Sequence, residues 1–93
     1  MDATHAAYPG ADLIDTGLRD LARGVESVPA LLVLVGAPRL RRVGIVLPPS
    51  DVPNPEHRLY AALAADDENG AHSRYNALVR RLVSFERAAE CGA

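Results

Sequence analysis

The chain is predicted to fold as an all-α protein, a compact bundle of four to five helices, and three features carry that prediction. Residues 71–90, AHSRYNALVRRLVSFERAAE, set Tyr75, Leu78, Leu82, Phe85 and Ala89 at alternating spacings of three and four, which places them on one helical face. Ser27 before Pro29, and Asn54 before Pro55, pair a capping residue with a proline that a first helical turn tolerates. Gly24, Gly36 and Gly44 stand where helices would stop.

Residues 1–10 read as a flexible arm closed by the turn signal Tyr8-Pro9-Gly10, and residues 11–93 as a single helical domain. The first helix is expected over 13–23, with Asp12 as N-cap and Gly24 as the left-handed residue beyond its end. Ile14, Leu18, Leu21 and Val25 would form its buried stripe. Gly17 flanks that stripe at a cost of about 1 kcal/mol relative to alanine, so it either admits a neighbouring helix closely or is simply tolerated. Ser27 opens a second helix through Ala30-Leu31-Leu32-Val33-Leu34-Val35, which is apolar all round and therefore belongs at the centre. Gly36 ends it, and Pro38 starts a short helix over 38–43 that Gly44 closes.

This region has a competing reading, an α+β fold with a short hairpin at about 30–48. LLVLVGAP and RVGIVLP also fit two buried strands, because a short valine-rich run is not identified by periodicity. Against the hairpin, the intervening APRLRR lacks a two-residue turn signal, and two strands alone make a poor sheet. The next segment, LPPSDVPNP, has four prolines in nine residues and should run as a stiff, extended connector. A fourth helix over 55–65 would turn Leu59, Tyr60 and Leu63 inward, and the acidic turn at 66–70 favours the N-terminus of the last helix. On that last helix Glu86 falls between Tyr75 and Val79 on the apolar side. It therefore requires a counter-charge from elsewhere, as a structural ion pair or as a functional carboxylate.

Ninety-three residues support one core, which buries roughly 60% of the unfolded chain's surface and leaves room for a dimer interface to add stability. Apolar residues make up 48% and charged residues 24%, the balance of an ordinary globular domain. The net charge of −2 lacks the positive footprint of a nucleic-acid binder, so only a local patch could serve that role. Cys91 is the single cysteine, which excludes an intrachain disulfide and points to the cytoplasm. MDATHAAYPG has neither the charged nor the apolar region of a signal peptide. The longest apolar run, 30–35, is far below the roughly 20 residues needed to cross a bilayer.

No chemistry converges in the sequence, so no catalytic residue, cofactor or metal is expected. His5, His57 and His72 are scattered without zinc-site spacing, and Gly36 alone does not make a phosphate loop. Ser73 and His72 are adjacent, diverge by about 100° on a helix, and cannot act as nucleophile and base. The expected function is that of a non-catalytic interaction module, a homodimer or a small partner subunit, with Arg74, Tyr75, Leu78, Arg81, Leu82 and Phe85 as contact residues. The alternative is nucleic-acid binding through an arginine cluster of Arg39, Arg41, Arg42 and Arg80.

Overall fold

A computed structural model describes residues 6–92 as five helices: α1 (Ala11–Ala22), α2 (Val28–Val35), α3 (Ala37–Arg42), α4 (Pro55–Asp66) and α5 (Ala71–Gly92). No strand occurs among these residues, so the hairpin alternative at 30–48 falls and the all-α reading holds. Local chemistry explains why the valine-rich run is helical. The Ser27 hydroxyl accepts a hydrogen bond from the Ala30 N–H at 3.2 Å, and Pro29 occupies the first turn, where its missing N–H costs nothing. Ser27 also donates to Asp20 at 2.5 Å, tying the start of α2 to the end of α1.

As its all-round apolarity requires, α2 is the central element, touched by α1, α3, α4 and α5. Ala30, Leu31, Leu32 and Val33 are at most 1% exposed. Around them Ile14, Leu40, Leu59, Leu63, Leu82, Phe85 and Ala89 complete one core. The radius of gyration, 12.7 Å, is close to the roughly 13 Å of a compact 100-residue domain, so all five helices share that core.

Several local expectations change. α1 starts at Ala11 rather than Leu13, with Gly10 as N-cap in the left-handed region at φ 76° and Asp12 inside the first turn. Gly10 is needed twice, for that φ and because a Cβ would lie 2.8 Å from the Arg81 carbonyl oxygen of α5. α1 ends on Gly24 as expected, at φ 73°, with Val25 N–H donating back to the Asp20 carbonyl at 2.8 Å. Val25 itself is 42% exposed, so the stripe ends with the half-buried Leu21. The end of α3 repeats the motif at Gly44, and there the following residue, Ile45, is buried against the core.

Asn54 occupies the position before α4 in a left-handed conformation, φ 47°, and its side chain makes no capping hydrogen bond. Leu59 and Leu63 point inward, whereas Tyr60 lies at the surface, its ring 5.7 Å from that of Tyr75. Of the N-terminal arm, residues 1–5 lie outside the described residues. Residues 6–10 form turns, and Tyr8 packs edge-on against Phe85 with centroids 6.0 Å apart.

Candidate functional site

The residues predicted as one contact stripe on α5 divide into two groups. Leu82 and Phe85 are 3% and 0% exposed, in the interior of the single chain, with Leu82 against Gly36 at the α2–α3 junction and Phe85 against Gly10 and Tyr8. Tyr75 and Leu78 are half-buried, and Arg74 and Arg81 are exposed. Angle alone does not make the division. At about 100° per residue, Arg74, Ala77, Leu78 and Arg81 share an arc of roughly 100° along one edge of the buried stripe, and Phe85 falls in the same arc further along the helix, where Tyr8 and Gly10 cover it.

On that edge, Val28 of α2 joins Arg74, Ala77, Leu78 and Arg81 to line a surface cavity of about 260 Å³. The two arginine heads are drawn outward, Arg74 to Asp66 at 2.7 Å and Arg81 to Asp12 at 3.0 Å, which leaves their aliphatic stems beside the cavity. Both pairs are solvent-exposed and contribute little to stability, about 0–1 kcal/mol each. Val28 and Ala77 carried no signal of this role in the sequence, since nothing local predicts that the first turn of α2 meets the middle of α5. Asp12 and Arg81 are 69 residues apart, and only the fold pairs them.

Of the arginines of the nucleic-acid alternative, Arg39, Arg41 and Arg42 share α3, with Arg39 and Arg42 lining one surface cavity, and Arg80 stands apart. Arg39 is turned inward onto α5, where its Nε donates to Glu90 and its Nη1 lies 3.5 Å from Glu86. Arg41 and Arg42 are exposed on α3. Arg80 is exposed on α5, ten residues before Glu90 and so about 15 Å away along the helix axis.

Glu86 finds the counter-charge that its position demanded. It is 3% exposed, and its carboxylate meets Arg39 on one side and the α2–α3 junction at Gly36 on the other. Burial pushes the Glu86 carboxyl above its ordinary value, against the opposing pull of Arg39. The Arg39 hydrogen bond holds Glu90 below its ordinary value, and the same bond raises Arg39. The backbone angles of Gly36 do not call for glycine, but a Cβ there would sit 2.7 Å from Leu82 Cδ1 and 3.0 Å from Glu86 Oε2, so both side-chain ends would have to shift.

His57 and His72 are both exposed, and His72 pairs with Asn76 one turn on at 3.2 Å. No group of three or more potential metal ligands gathers among the described residues. None of the helices among those residues is long and apolar enough to cross a membrane. No protein family, curated protein or solved structure matches the chain.

Proposed function

We propose that the chain is a non-catalytic helical interaction module acting in the cytoplasm, as a homodimer or as a small subunit on a larger protein. The observation that carries this reading is the cavity between α2 and α5, an apolar floor of Val28, Ala77 and Leu78 rimmed by Arg74 and Arg81. At about 260 Å³ it is below the roughly 300–1,000 Å³ of small-molecule sites and suits one large side chain of a partner. An apolar pocket beside arginines is also the composition from which interface hot spots are built.

The test uses Ala77→Arg, which fills the cavity mouth from an exposed helical position and leaves the core intact. Sedimentation velocity and affinity capture from the host lysate, each with and without nuclease, are compared for parent and variant. A dimer or a stoichiometric protein partner that survives nuclease and is lost in Ala77→Arg is the expected result. A monomer that captures no protein, or an assembly indifferent to Ala77→Arg, refutes the assignment. Material that disappears on nuclease treatment and with Arg41→Ala/Arg42→Ala would establish the nucleic-acid alternative instead.

A further inference from the structure

Glu86 is the one buried charged side chain among the described residues, and the contact face makes no use of it. Its Oε1 is 3.5 Å from Arg39 Nη1, and its Oε2 abuts the backbone of Gly36. Arg39 does not serve it alone, because Nε of the same guanidinium is given to Glu90, one turn further along α5. α3 has six residues, too few to stay helical in water unaided, and is held to the bundle by Leu40, Ala37 and this triad. We infer that Glu86, Arg39 and Glu90 form a pH-sensitive latch between α3 and α5, in which loss of the Glu86 proton loosens α3 and its return tightens it.

The reason is a difference in hydration. With α3 docked, the Glu86 carboxyl is out of water and ionises at a cost that Arg39 only partly offsets. With α3 lifted, water reaches the carboxyl and ionisation is unopposed. The docked state therefore binds the Glu86 proton more tightly. Linkage then makes the opening constant of α3 rise with pH between the ordinary carboxylate value and the raised docked value, and level off above it. Glu90 acts in the opposite sense, since its contribution is lost only as pH falls through its lowered value. The two windows are therefore separate.

The charges around Glu86 are accounted for on each packed element. α3 contributes Arg39 and Arg42, and α5 contributes Glu90, with Arg87 acting on Glu90. α2 has no ionisable side chain. On α4, Glu56, His57, Arg58 and Asp66 are exposed, with Arg58 on Glu26 and Asp66 on Arg74. Tyr8 packs on Phe85 and lies beside Gly92, and Cys91 is exposed toward the end of α5. His72 is fourteen residues before Glu86, about 21 Å along the helix.

Native-state hydrogen exchange on the full chain from pH 4 to pH 8 tests the latch. The reporters are the Leu40 amide, bonded to the Gly36 carbonyl, and the Ile45 amide, bonded to the Leu40 carbonyl, with the Leu31 amide of α2 as reference. After correction for intrinsic exchange, each pH unit separating docked and undocked Glu86 values gives about a tenfold change in opening, and half a unit about threefold. The α3 amides should lose protection as pH rises while Leu31 does not follow, and Glu86→Gln should abolish the change. A flat profile above the Glu90 window, a profile shared equally by Leu31, or one unchanged by Glu86→Gln overturns the latch. If Glu86→Gln fails to fold, the carboxyl carbon of Glu86 is titrated in the parent protein. Its midpoint must then coincide with that of the α3 amide shifts, and divergence overturns the proposal.

Discussion

Gly17→Ala should destabilise this protein, although a helix-interior glycine replaced by alanine ordinarily gains about 1 kcal/mol. The crossing of α1 and α2 reverses the sign. A Cβ at residue 17 would lie 2.4 Å from the Pro29 carbonyl oxygen and 2.5 Å from Val33 Cγ2. Ordinary van der Waals contact starts near 3.4 Å, so the two helices must part by about 1 Å at their closest point. The carbonyl belongs to the backbone and has no rotamer through which to yield. Overpacking of this kind costs about 1–3 kcal/mol, and a rigid neighbour puts Gly17→Ala at the upper end. Set against the propensity gain, the net loss is about 1–2 kcal/mol, which for a domain of this size lowers Tm by roughly 5–15 °C. Urea unfolding followed by helical circular dichroism measures it. Ala61→Gly on the exposed face of α4 calibrates the propensity term in the same protein. An equal or higher midpoint for Gly17→Ala would show that α1 and α2 are not in this contact.

Other substitutions probe the cap and the buried carboxylate. Ser27→Ala removes the hydroxyl that caps α2 and bonds Asp20, and should cost about 1–2 kcal/mol in the same unfolding assay. Arg39→Ala withdraws the counter-charge of Glu86 and should leave its carboxyl still higher above the ordinary value. The variant's stability deficit should then be widest above the raised Glu86 value, where the carboxyl is ionised, and narrow as pH falls through that value and it takes up a proton. A deficit that is constant over that range would show that Arg39 acts through packing alone.

Much of the fold was legible because its signals are local. Ser27 with Pro29, Gly24 and Gly44 each mark a helix end through the chemistry of one or two residues, and the structure uses all of them. The central place of α2 followed from composition alone, since no side of an all-apolar helix can face water. The need of Glu86 for a partner was legible as well, but Arg39 as that partner was not, being 47 residues away. Errors cluster where a side chain's environment depends on a second element. Tyr60 sits on the inward arc of its helix but meets only Tyr75 at the rim, and Val25 follows a helix end with nothing beyond it to cover it. On α5, periodicity defined the apolar face, yet it could not separate the stretch of that face that other elements cover from the stretch that stays partly open. Leu82 and Phe85 fall in the first, Leu78 and Tyr75 in the second.

The central position of α2 also has a consequence for biosynthesis. Its covering is divided between the two sides of the proline-rich connector, with α1 and α3 encoded before it and α4 and α5 after it. A nascent chain that has released α1 to α3 therefore carries Leu31, Leu32 and Val33 with one flank still bare. Translation at roughly 5–20 residues per second leaves that flank uncovered for seconds, while residues 55–92 are made, long compared with the microseconds in which helices form. The most hydrophobic helix of the molecule thus waits for half of its covering, and its protection in that interval falls to the ribosome's surroundings rather than to the chain.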